Sequence, residues 1–339
     1  MEKFVVSKDA SIYEAWPDLV QTDRGKLICV FSECESHGNR DHARLMLTES
    51  LDRGRTWSPK KPLTAKGNNN DYFNCARISK LRDGRLAIVC DKLKRLEETR
   101  TATTYIWFGD GEGEHWSEPV ILPFNGIVPD KLLQLKNGRL ILSNHCKNEE
   151  TDKLEQHLWY SDDNGKTWSD RITLASDPRY NLCEASILEC EDHTLVAWLR
   201  ENSLAGYELM KAISYDNGET WQGVYKTPMV SGHRATAGYL NNGNVLITYR
   251  FIPAGPASNQ NVFASLLHAE DLTKTERNEQ RIRTMPIDYD RNINPDTGYT
   301  GWTQFADGEI YVVNYIKDDA DKAQIRGYSF SCEDMVLPG

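Results

Sequence analysis

The chain has 339 residues, 50 acidic against 40 basic, a formal net charge of -10, and is 39% hydrophobic and 10% aromatic. An acidic surplus of that size opposes any broad electrostatic footprint on nucleic acid or anionic lipid. No apolar run approaches the roughly 18 residues that a membrane span needs, and the first sixteen residues lack the apolar stretch of a signal peptide. The sequence therefore reads as a cytoplasmic protein, with no membrane insertion and no nucleic-acid partner.

Along the chain one pattern recurs: an apolar segment, a polar turn, then a run rich in Leu, Ile and Val. Its turns centre on Gly25, Gly84, Gly138, His193, Gly243 and Gly308. Asp-Gly or Asn-Gly in four of them supplies the positive φ that tight hairpin turns demand. The spacing of 50 to 65 residues between centres exceeds what one hairpin uses, so each unit is expected to hold a second pair of strands. Four strands per unit, six times over, predict an all-β fold: one six-bladed propeller domain across residues 1–339, with residues 3–8 adding the strand that closes the ring.

The second strand pair carries its own signature. Ser50-x-Asp52-x-Gly54-x-Thr56-Trp57 recurs at Ser161 to Trp168 and at Ser214 to Trp221, and a damaged copy ends at Trp116. Asp and Gly suit the turn and the Trp can fold back over it as an apolar plug, so these carboxylates are expected to be structural. The eight cysteines (29, 34, 75, 90, 146, 183, 190 and 332) have no CxxC or matching His spacing and read as mostly free thiols. No metal or cofactor is expected.

If these turns join strands three and four at the bottom, the start of strand one and the end of strand two lie at the top. Nine residues before each turn centre stand Trp16, Cys75, Pro129, Glu184, Arg234 and Tyr299; two further on are Asp18, Arg77, Lys131, Ser186, Thr236 and Gly301. Ends of strand two add Lys92, His145, Arg200 and Arg250. Six cations, Arg77, Lys92, Lys131, Arg200, Arg234 and Arg250, are thus expected to converge on one end of an acidic chain, where a local positive field would attract an anionic ligand. Asp18, Asp71 and Asp130 are further carboxylates on that face and candidates for a proton donor; Asp18, Asp130 and Arg77 are also candidate sugar-binding residues, with His233 the leading histidine, and Trp16 or Trp302 could stack on a sugar ring.

The three full boxes in a six-unit array resemble the Asp-box, or BNR, repeats of the sialidase (neuraminidase) superfamily. Individual positions are similar too. Tyr299 in Gly298-Tyr299-Thr300 matches the family's nucleophile, Glu184 its acid/base partner, Arg200 an arginine that holds the substrate carboxylate, and Asp41 in the Gly38-Asn39-Arg40-Asp41 loop the general acid. The resemblance implies a glycoside hydrolase acting on a terminal, acidic sugar of an oligosaccharide. A phenol is barely ionised at neutral pH, so such a Tyr needs a base like Glu184; a Tyr nucleophile is a known exception to the two-carboxylate scheme. The chain departs from the family where Ala15-Trp16-Pro17 replaces the arginine of the first blade and Asn314-Tyr315 the glutamate of the last, and Arg234 or Arg250 would have to supply the arginine of blade five. A polysaccharide lyase using Tyr299 with His233 or His145, and a carbohydrate-binding propeller without turnover, are the alternatives.

Overall fold

The computed structural model describes residues 1–96, 99–254 and 259–335. Among the described residues it is almost entirely strand: six antiparallel sheets, the blades of a six-bladed β-propeller, and three short 3-10 turns at Ala269–Asp271, Arg277–Glu279 and Cys332–Met335. Chain contacts group into two compact units, residues 1–129 with 289–339, and residues 130–288.

The first unit holds three blades. Blade one is Tyr13–Gln21, Leu27–Cys34, Arg44–Ser50 and Lys61–Pro62. In blade two the first strand is broken into Asp71–Phe73 and Arg77–Lys80, both paired with Leu86–Leu96, and Thr99–Gly109 and Val120–Leu122 follow. Blade six runs Thr297–Gln304, Ile310–Ile316, Gln324–Phe330 and takes Glu2–Ser7 as its outer strand. The N-terminal segment thus closes blade six, as its position in the sequence predicts.

The second unit repeats the plan. Blade three is Leu133–Gln134, Leu140–Lys147, Leu154–Ser161 and Ile172–Ala175. Blade four is Leu182–Glu189, Leu195–Glu201, Met210–Ser214 and Gln222–Lys226; blade five is Gly232–Tyr239, Val245–Phe251, Asn261–Leu267 and Ile282–Tyr289. Second strands such as Leu195–Glu201 are apolar on both faces because a neighbouring sheet covers each side.

Each Ser-x-Asp-x-Gly-x-Thr-Trp segment joins the third and fourth strands of its blade. Ser50 Oγ accepts the Gly54 N–H at 2.8 Å and donates to Asp52 Oδ1 at 2.8 Å, while Asp52 accepts the Thr56 amide at 2.9 Å and hydroxyl at 2.5 Å. Trp57 Nε1 then donates to the Gly54 carbonyl at 3.1 Å. The Ser214 copy has the same bonds, and the damaged copy keeps the Trp116 to Gly113 bond at 3.1 Å. The Thr56 hydroxyl and amide hold Asp52 down to about 2, so this carboxylate ties the turn and carries no proton at neutral pH.

The centres of five first hairpins are glycines at φ between 82° and 95°, but blade four has His193 at φ 66° beside Asp192 at φ 52°. A left-handed L-residue costs roughly 1–2 kcal/mol, and a glycine returns about 0.5–1 kcal/mol of that as lost unfolded-state freedom. His193→Gly is therefore expected to stabilise the protein by about 0.5–1 kcal/mol, measured as a higher urea midpoint at unchanged slope. A lower midpoint would mean that the His193 contact with Asn217, 3.3 Å away, outweighs the strain.

Candidate functional site

The first strand of a blade begins with a bulge in four of the six blades. The register slips between Ala15 and Asp18, Cys183 and Ser186, His233 and Thr236, and Gly298 and Thr300. At each slip one residue turns left-handed: Trp16 (φ 54°), Glu184 (φ 51°), Arg234 (φ 50°) and Tyr299 (φ 53°). For bulky L-residues that conformation costs on the order of 1–3 kcal/mol and persists only where the surroundings fix it. Blade six fixes it with Asn314, whose side chain accepts the Gly298 N–H at 2.9 Å and donates to Thr297 at 2.9 Å. Gln156 accepts the Ala185 N–H at 3.3 Å beside the Glu184 bulge. Cys75 and Pro129, the counterparts in blades two and three, do not adopt it; in blade three Val128 does.

In blades one, three and four, the side chain two residues past the left-handed residue latches the next blade. Asp18 accepts the Ile78 N–H at 2.8 Å, and Ser186 accepts the Ala237 N–H at 3.1 Å. Asp130 accepts the Ile187 N–H at 3.0 Å. Asp18 and Asp130 are buried, and Arg77, also buried, lies 3.4 Å from Asp18 and donates to the Thr300 carbonyl at 3.0 Å. These three side chains are accounted for by blade-to-blade bonding. Lys92 pairs with Asp71 at 2.7 Å, both side chains partly exposed. The residue one step earlier, Asp91, is the buried one, bonded to Asn74 at 3.0 Å.

In the second unit three of the expected cations, Arg200, Arg234 and Arg250, gather around Glu184. Arg200 Nη1 donates to both oxygens of Glu184, at 3.0 and 3.1 Å. Burial alone would raise the Glu184 carboxyl, but Arg200, Arg234 and Arg250, with a smaller contribution from His145, outweigh it and hold the group well below the usual carboxylate range. Arg234 is fully buried and Arg250 nearly so, whereas the Arg200 side chain keeps 12% of its surface exposed. His145 is held down to about 4 by burial, against the pull of Glu184 and with Arg200 and Arg234 repelling its proton. His233 is held down to about 2 by burial and by Arg200 and Arg250. Three guanidiniums, one carboxylate and two neutral imidazoles leave a positive, largely dry cluster suited to an anion.

The first unit gathers aromatic and acidic groups. The buried Tyr299 ring lies 6.4 Å from Tyr315, which lies 5.9 Å from Trp16. Arg40 covers the Trp16 ring at 3.7 Å, so that face is already occupied by a guanidinium. Asp41, on the same loop, accepts the Asn69 N–H at 3.2 Å. Asp296 accepts from the hydroxyls of Tyr13 and, at 2.9 Å, Tyr315, and contacts His37 Nδ1 at 2.9 Å. Arg40, His37 and Asp296 were not legible as site residues: His37 and Asp296 are 259 positions apart. Only their flanking positions, beside Asp41 and before Tyr299, hint at the site.

All eight cysteines are free thiols. Among the described residues no helix is long and apolar enough to cross a membrane.

Residues 79–312 match the BNR repeat-like domain family, and the chain belongs to it. Its fold is that of the sialidases. The chain superposes on a protein of unknown function from Dyadobacter fermentans with a TM-score of 0.82, 21% identity and 98% of both chains covered. It is also similar to the intramolecular trans-sialidase from Ruminococcus gnavus in complex with oseltamivir carboxylate (TM-score 0.68, 15% identity, 96% of both chains). The endosialidase of phage phi92 gives a TM-score of 0.73 at 13% identity, covering 97% of this chain and 69% of that one.

Proposed function

We propose that this protein is a sialidase-like glycoside hydrolase that removes a terminal acidic sugar from an oligosaccharide. The observation that carries this reading is the set of three arginines around buried Glu184, and a carboxylate ligand in the similar Ruminococcus gnavus enzyme supports it. Arg200, the most exposed of the three, takes the sugar carboxylate, with Arg234 and Arg250 supplying field. Tyr299 is the nucleophile, with Glu184 as the acid/base partner that the resemblance assigns to it; the leaving oxygen is protonated from the blade-one loop, where the resemblance assigns Asp41. A neutral phenol brings no second negative charge to an anomeric centre that already bears one.

The test is a screen of acidic glycosides for released reducing sugar, followed by Arg200→Lys and Tyr299→Phe. A lysine cannot reproduce bidentate geometry, so Arg200→Lys is expected to weaken an acidic sugar by about 2 kcal/mol, as for charge-assisted hydrogen bonds, and scarcely affect its methyl ester. Equal losses for acid and ester would confine Arg200 to holding Glu184. Tyr299→Phe is expected to bind and not turn over.

A polysaccharide lyase is the second reading, favoured by the neutral His145 beside the arginines. An unsaturated, ultraviolet-absorbing product would establish it in place of hydrolysis. Binding without any product would leave a carbohydrate-binding propeller.

A further inference from the structure

His37 stands on the loop after the second strand of blade one, its side chain 53% exposed, with Nδ1 2.9 Å from Asp296 Oδ2. Asp296 is itself 14% exposed and fixed on both oxygens, by Tyr13 on Oδ2 and by Tyr315 on Oδ1 at 2.9 Å. Because the carboxylate accepts, Nδ1 carries hydrogen and Nε2 is left as the nitrogen whose protonation can change. The imidazole lies edge-on to Trp16 at 5.3 Å and to Tyr13 at 6.5 Å. Through Asp296 and Tyr315 it is linked to the ring that touches Tyr299.

A histidine that merely decorated the surface would not need an orienting carboxylate held by two buried phenols. We infer that His37, oriented by Asp296, is the residue of the blade-one loop that gives the leaving oxygen its proton. This rests on the hydrolase reading above and names the acid within it. Asp41, four residues on, is tied to the Asn69 amide and has no such support.

In the first step the Tyr299 oxygen bonds to the anomeric carbon, its proton passing to the base of the hydrolase reading. The glycosidic C–O bond breaks with its electron pair on the leaving oxygen, which takes the Nε2 proton. In the second step water adds its oxygen to the anomeric carbon and gives a proton to Nε2. The bond to Tyr299 then breaks, and the phenol recovers its proton from that base.

The test compares methyl and 4-methylumbelliferyl glycosides of N-acetylneuraminic and galacturonic acids. Methylumbelliferone leaves without protonation, whereas methanol does not. His37→Gln, at an exposed position that should fold, is expected to lose roughly 100-fold or more in kcat/KM on the methyl glycoside, and less than about five-fold on the methylumbelliferyl one. Asp296→Asn should show the same selectivity at smaller size, and imidazole should restore part of the turnover of His37→Ala. Equal losses of His37→Gln on both leaving groups, or selectivity in Asp41→Asn and not in His37→Gln, would overturn the assignment while leaving the hydrolase reading intact. If Tyr299→Phe keeps full turnover, or the wild type cleaves none of the four glycosides, the hydrolase reading itself fails and the assignment with it.

Discussion

Replacing Glu184 with glutamine is expected to lower stability by about 3 kcal/mol at neutral pH, the scale on which breaking a buried ion pair destabilises a protein. The carboxylate compensates three guanidiniums, one of them fully buried and two of them nearly so or largely so. Glutamine keeps the volume and one acceptor but leaves those charges facing one another. Equilibrium urea unfolding measures the loss. The sign of its pH dependence follows from the direction of the shift. A carboxyl held below its ordinary value of 4.5 contributes stability above that value and loses it as pH falls through the depressed one. The gap between wild type and Glu184→Gln should therefore narrow below about pH 4.5. His145 and His233, kept neutral far below the ordinary 6.5, already cost both proteins stability as pH falls under 6.5, because the unfolded chain binds protons that the folded one refuses. A bound anion should restore the variant in part, since it binds only the folded state. A variant as stable as wild type at pH 7 would mean that solvent screens the arginines.

The blade count, the turn centres and the structural boxes were legible because each is written locally, as a glycine turn or a Ser-x-Asp-x-Gly-x-Thr-Trp run. The count of nine residues back from a turn reached Trp16, Glu184, Arg234 and Tyr299, the four left-handed bulge residues, because those blades share one hairpin length. Strand two of blade two is a matter of one residue: His145, Arg200 and Arg250 stand seven positions past their turn centres, and the seventh past Gly84 is Asp91, which is buried, while Lys92 is the eighth. Type of residue was also a poor guide to exposure. Asp18, Asp130 and Arg77 were expected on the open end, and each is buried and bonds a backbone group of another blade. The Asp296 hub was hidden for a different reason: its partners Tyr13, His37 and Tyr315 come from two blades, and no spacing rule connects them.

The largest stability effects should come from the plug between blades six and one. Tyr311 is fully buried, and its hydroxyl donates to the Gly54 carbonyl at 2.7 Å, the same oxygen that Trp57 Nε1 reaches at 3.1 Å. Two glycines admit its ring. A Cβ on Gly54 would lie 2.2 Å from Tyr311 Cζ, and one on Gly327 1.9 Å from its Oη; Gly54 also sits at φ 84°. Tyr311→Ala is expected to cost about 3–5 kcal/mol, as for other buried aromatics. Gly54→Ala should cost about 3 kcal/mol, combining overpacking with left-handed strain. The double variant separates the two causes. Once the ring is gone the alanine methyl has room and only the φ penalty remains, so the pair should fall short of the sum of the singles by about 2 kcal/mol, within the range seen for residues in contact. Costs that simply add would show that backbone conformation alone, not the Tyr311 ring, demands glycine at position 54.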